Sequence, residues 1–194
     1  MMRGSGFILA IPICLISYGL SFGQDSLVVK STFKTAFGFA INEGNSETGM
    51  GVVLSLGYKK SYWNDRLRFC TDFTVGNFLP LVMTDLRDQY YRLTTLGFLT
   101  DLDAIKGKSA SIFISTGLFS NYSRGLLGTG GYQVNATHSE TFHHLYYGGY
   151  LGGGVRINSA QSRFAYEFIP ISLFFGNHHY VLIQLLKFGV EIKI

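Results

Sequence analysis

Between Leu67 and Phe78 the side chains alternate almost without a break. Leu67, Phe69, Phe73 and Val75 fall on one parity, and Arg68, Cys70, Asp72, Thr74 and Gly76 on the other. A period of two puts these sets on opposite faces of an extended strand. The same pattern recurs in six further segments, and a seventh of similar length lies among them, which predicts an all-β chain. Leu27–Ile41 carries Phe33, Phe37 and Phe39 against Lys30, Thr32, Lys34 and Gly38. Gly51–Lys60 sets Val52, Leu54, Leu56 and Tyr58 against Ser55, Gly57 and Lys59. Ser109–Tyr122 and His144–Asn158 behave alike, with Arg156 among the glycines of the second. Arg163–Phe175 places Phe164, Tyr166, Phe168 and Phe174 opposite Arg163, Ala165 and Glu167. Tyr180–Ile194 places Leu182, Leu186, Phe188, Val190 and Ile192 opposite Lys187, Gly189, Glu191 and Lys193. Tyr90–Leu102 has Leu or Phe on both faces, so its phase stays open.

Alternation alone does not say which face is outside. A soluble barrel or sandwich alternates too, with its apolar face inward. Composition argues for the opposite sign. Charged residues make up 14% of the chain, against about 25% in soluble domains. Aromatics are abundant, with 17 Phe and 12 Tyr. Beyond the N-terminal region no apolar run reaches the length of a spanning helix, about 20 residues. The remaining way to satisfy backbone polar groups in lipid is a closed barrel. Eight strands predict an antiparallel, up-and-down transmembrane β-barrel with both termini on one side. Short links at Ser61–Arg66, Asp103–Lys108 and Ser159–Ser162 read as periplasmic turns, and Ser123–His143 as the longest outer loop. Tyr58, Tyr62, Trp63, Tyr90, Tyr91, Tyr146, Tyr147 and Tyr180 are candidates for interfacial girdles.

The first 23 residues have a different character. Arg3 precedes an apolar run from Phe7 to Leu20, and Ser21-Phe22-Gly23 is a small-x-small exit. These are the parts of a signal peptide cleaved near Gly23. An anchor helix is the competing reading, but the run is too short. Cys14 lies mid-run behind Pro12-Ile13, which does not suit lipid attachment. Residues 24–194 then form one domain, exported to the outer membrane of a Gram-negative bacterium. Cys70 is the one cysteine of that domain, so no internal disulfide forms. The net charge of +4 is too mild, and too dispersed, for a nucleic-acid partner.

The C-terminal run Lys187-Phe188-Gly189-Val190-Glu191-Ile192-Lys193-Ile194 ends on alternating apolar residues. It resembles the signal by which outer-membrane barrels are recognised for assembly, although the last residue is Ile and not an aromatic. With the strand count, the chain resembles the outer membrane protein A barrel and outer membrane protein X families. That resemblance implies an eight-stranded barrel architecture and no defined chemistry. It implies outer-membrane lipid, lipopolysaccharide and the barrel assembly machinery as partners.

The predicted inward faces supply Lys30, Lys34, Arg68, Asp72, Arg156, Arg163, Glu167, Lys187, Glu191 and Lys193. Arg68, Asp72, Arg156, Glu167, Lys187 and Glu191 are singled out as a lumen polar cluster. Both signs occur, so paired charges filling the bore are expected, because an eight-stranded lumen is narrow. The same residues would line a selective pore if the bore were open. Catalytic signals are weak. His138-Ser139-Glu140 holds hydrolase residue types, but adjacent residues do not make a triad. The lipid A deacylase barrels carry His-x-Ser, whereas His178-His179 is followed by Tyr180-Val181. Paired histidines at 143–144 and 178–179 lack the spacing of a metal site. Gly152-Gly153-Gly154 lacks the setting of a phosphate loop and reads as relief of crowding on a curved strand. No catalytic residue, metal or cofactor is expected. The expected role is structural or adhesive, through the outer loops, with a small-solute channel and a lipid A-modifying enzyme as alternatives.

Overall fold

The structure is a computed structural model, which describes residues 30–45, 47–80, 90–107, 109–128, 139–158 and 162–194. The expected leader, residues 1–23, lies outside the described residues. Eight strands follow one another: β1 (Ser31–Glu43), β2 (Thr48–Tyr62), β3 (Leu67–Pro80), β4 (Tyr90–Lys106), β5 (Ala110–Gly128), β6 (Ser139–Asn158), β7 (Phe164–Gly176) and β8 (Val181–Lys193). Each pairs antiparallel with its sequence neighbours, and β1 pairs with β8 to close the barrel. Every strand exceeds the roughly 9–11 residues that a tilted membrane strand needs. Among the described residues no helix is long and apolar enough to cross a membrane.

The outward face of every strand carries large apolar side chains. Leu56, Phe98 and Leu118 are each 60% or more exposed. A soluble monomer rarely shows so wide a continuous apolar surface. The inward positions are buried along each strand. Large and small residues alternate across the bore. Lys34 on β1 lies opposite Gly57 on β2, and a Cβ on Gly189 of β8 would come within 3.3 Å of its Cε. The long cation thus has room to lie across the lumen.

Two irregularities reset the phase on the closing strands. The β6–β7 register shifts between Gly153 and Val155, and the β1–β8 register shifts between Phe37 and Phe39. Leu186, at the second shift, has a left-handed φ of 50°, a bulge geometry that usually favours glycine. Pro170 falls where neither neighbouring strand makes a regular pair, so its missing N–H breaks no ladder. Beyond these points the inward parity flips. Phe174 and Leu182, expected outside, are therefore buried in the bore. The glycine triplet adjoins the first shift. A Cβ on Gly154 would run into the Phe168 carbonyl oxygen, so backbone crowding excludes a side chain there.

Other expectations are also corrected. Lys30 and Arg163 are exposed and Lys193 is half-buried, all at the rim below the last inward positions. Tyr91, Tyr146 and Tyr180 are buried in the bore instead of joining a girdle, while Tyr58, Trp63, Tyr90 and Tyr147 do face outward. Asp103 is part of β4 and not of a turn. Both ends of the expected loop Ser123–His143 are strand, because β5 runs on to Gly128 and pairs with β6 from Ser139; residues 129–138 lie outside the described residues. The expected Ser61–Arg66 turn narrows to residues 63–66, because β2 runs on to Tyr62. Trp63, Asn64 and Asp65 there all take left-handed backbone, which Asn and Asp tolerate best.

Candidate functional site

The bore is filled in two layers. The layer nearest the short turns and the termini is ionic. Five cations (Lys34, Lys59, Arg68, Arg156 and Lys187) meet five carboxylates (Asp72, Asp101, Asp103, Glu167 and Glu191), all buried. Lys59 on β2 reaches across the lumen to Asp101 at 2.7 Å, Glu167 at 2.6 Å and Glu191 at 2.7 Å. Arg156 on β6 contacts Asp101 at 3.0 Å, Asp103 at 2.8 Å, Glu167 at 2.5 Å and Glu191 at 3.5 Å. Lys34 adds a bond to Glu167 at 2.5 Å, and Arg68 shares Asp103 at 2.7 Å. Lys187 and Asp72 pair more loosely at 3.6 Å. β5 contributes no charge here, but its Phe113 ring packs 4.5 Å from the Arg156 guanidinium, a cation–π contact. All eight strands therefore meet in one layer.

The six residues of the expected polar cluster all sit in this layer. Lys34 joins them from the wider inward set. Sequence reasoning left out Lys59, although its parity already pointed inward. Asp101 was missed because it lies in the segment with ambiguous phase, and Asp103 because it was read as the start of a turn. They are the carboxylates that Lys59 and Arg156 need.

The layer nearest the other end is aromatic. Phe78 stacks on Tyr91 with centroids 5.2 Å apart, and Tyr146 stacks on Tyr180 at 4.2 Å. Phe119 packs edge-on to Phe174 at 5.2 Å, and Tyr150 to Phe174 at 4.7 Å. Leu93, Leu182, Val53 and Ala40 fill the gaps. The buried hydroxyls of Tyr91, Tyr146 and Tyr180 have partners. Asn121 donates to Tyr180 Oη at 2.9 Å and accepts from Thr95 Oγ1 at 2.7 Å. Tyr146 Oη donates to Glu47 at 3.1 Å and accepts the Asn45 N–H at 2.9 Å, which ties β6 to the β1–β2 turn.

No protein-family model and no curated protein matches the sequence. Solved structures do match in three dimensions. Neisserial surface protein A aligns over 84% of this chain and 97% of its own, with 14% identity and a TM-score of 0.58. The attachment invasion locus protein of Yersinia pestis aligns over 84% of this chain and 99% of its own, with 10% identity and a TM-score of 0.54. The same protein in complex with the heparin analogue sucrose octasulfate gives 9% and 0.53. The chain has the fold of the small eight-stranded outer-membrane barrels.

In this outer-membrane-type barrel the described histidines lie away from the ionic layer. The His143 ring is 2.6 Å from Tyr122 Oη through Nδ1 and stacks on that tyrosine. His144 packs against Phe142 and Tyr146. His178 and His179 form the tight 3-10 turn between β7 and β8, both with left-handed backbone. His138 lies outside the described residues. Outside the bore, the one rim ion pair described is Lys30–Asp65 at 3.0 Å. Partial burial pushes the Asp65 carboxyl up. The hydrogen bond and charge of Lys30 outweigh that and hold it below the ordinary 3.8, helped by Lys106 and Arg68.

Proposed function

We propose that the chain is an outer-membrane barrel with a closed bore, acting through its outer surface as a structural or adhesive element. The observation that carries this is the filling of both lumen layers. A conducting pore needs a continuous polar path, and here buried ion pairs block one level and stacked rings the next. The apolar outward belt supports a membrane location, since in water it would drive association. The surface offered to a partner is the β5–β6 hairpin. Gly148 is the last β6 residue paired with β7, so Ser139–Tyr147 of β6 pair only with β5. This hairpin rises beyond its neighbour and leaves one strand edge for contact. Cleavage of residues 1–23 and delivery by the barrel assembly machinery through the C-terminal strand belong to the same reading.

Planar-bilayer recording of the refolded chain tests it. The expected result is no conductance above leak, and regular single-channel steps would overturn the closed-bore reading in favour of a solute channel. Heat-modifiable gel migration and recovery in the outer-membrane fraction test the location. N-terminal sequencing of that material should start near Gln24. Identical attachment of cells with and without the hairpin tip would remove the adhesive role and leave the structural one.

A further inference from the structure

On the outward wall at the loop end, four strands line up polar residues where the rows below are mostly apolar. Register places Asn77 (β3) opposite Arg92 (β4), Arg92 opposite Arg124 (β5), and Arg124 opposite His143 (β6). All four are exposed. Side chains directly opposite in such pairs lie about 5 Å apart at Cβ, and like charges there are destabilising. Two arginines side by side form a concentrated positive stripe, with the polar His143 beyond them. Among the described residues no carboxylate pairs with Arg92 or Arg124. The stripe is also braced. Asn77 Oδ1 accepts from Arg92 Nε at 3.2 Å and from Tyr90 Oη at 3.0 Å, and Tyr122 holds His143. A braced like-charge row calls for an anion, and guanidinium forks match phosphate oxygens.

The neighbours say what kind of anion. The next outward row toward the barrel middle is Val75, Thr94, Tyr122 and Leu145. Tyr122 and Leu145 are among the exposed large hydrophobics of the belt. A ligand on the stripe therefore has a charged head at Arg92–Arg124 and an apolar body along the belt. We propose that this row is a docking site for the phosphate of the outer leaflet's phosphorylated glycolipid. The inference rests on the reading above, which puts the loop end outside.

The refolded chain is placed in phosphatidylcholine nanodiscs containing bis-phosphorylated lipid A, dephosphorylated lipid A or phosphatidylglycerol. Lipid retained is read by native mass spectrometry, and barrel melting by the heat-modifiable band. Wild type is expected to retain lipid A at least tenfold more than an Arg92→Gln/Arg124→Gln chain, because two charge-assisted contacts are lost. In pure phosphatidylcholine the double variant should melt above wild type, relieved of the like-charge pair. With lipid A that order should reverse. A lysine double variant should recover part of the retention. Equal retention by the glutamine variant, or of dephosphorylated lipid A by wild type, overturns the site. Equal retention of phosphatidylglycerol, or release of lipid A by millimolar inorganic phosphate, overturns the glycolipid as its occupant. A wild-type chain that enters no disc overturns the membrane reading and this inference with it. A chain that enters discs but ignores lipid A overturns the inference alone.

Discussion

The two lumen layers do the same job, closing an eight-stranded bore, with opposite materials. In the ionic layer each group depends on several others. Lys59 and Arg156 together touch four of the five carboxylates. In the aromatic layer each ring contributes contact area that falls off smoothly as atoms are removed. The difference teaches that a charged plug fails by single residues, whereas an aromatic plug fails by degrees.

The sharpest way to break that comparison is to remove one hub. Arg156→Met should destabilise the barrel by about 3–5 kcal/mol, since buried carboxylates lose their partner. Urea titration in lipid vesicles, followed through Trp63, the only tryptophan, reads this directly. A change near zero would mean that the carboxylates take up protons or water at little cost, and the layers would not differ in kind. In the aromatic layer Phe119→Ala should cost about 3 kcal/mol, and Phe119→Leu about 1 kcal/mol, in the same assay. Equal losses for the two variants would deny that this layer is graded. Tyr180→Phe keeps the ring and strands the Asn121 amide, so about 1 kcal/mol is expected from a buried hydrogen bond.

The smallest effect lies outside both layers. The Asp65 carboxyl is depressed in the folded chain, so its contribution is present above the unfolded carboxylate value. It is lost as pH falls through the lower, folded value. Acid titration of wild type against Asp65→Asn should show the two curves merging below that range. The gap between them at neutral pH should be slight, because Lys30 is more than half exposed.

Legibility in the sequence followed the same division. Where inward residues are charged or small and outward ones large and apolar, parity reads the fold, and β1, β2, β3, β5 and β6 have the expected faces. The aromatic layer hides that signal by placing Leu93, Phe174 and Leu182 on the inward side. Period two cannot separate a ring facing lipid from one facing the bore. The bulges at Pro170 and Leu186 then shift the parity of β7 and β8 with no mark in composition. The ionic layer was legible as residues and not as pairs, because Lys59 and Asp101 are brought together by closure across the lumen and not by spacing along a strand. The stripe at Arg92 and Arg124 was invisible for a related reason. The two residues are 32 positions apart, and only the register makes them neighbours.

The arrangement of the ionic layer bears on how such a barrel reaches its membrane. Before closure, Lys34 on the first strand, and Lys187 and Glu191 on the last, have no partners across the bore. An open sheet entering hydrocarbon would carry those charges bare, which is costly enough to stop it. Outside the membrane the same charges hydrate the unfolded chain and offset its apolar content. Insertion and ring closure are thus bound into one event. The final β1–β8 seam acts as a ratchet: once Glu191 meets Lys59 and Lys34 meets Glu167 across it, reversal must expose several charges at once.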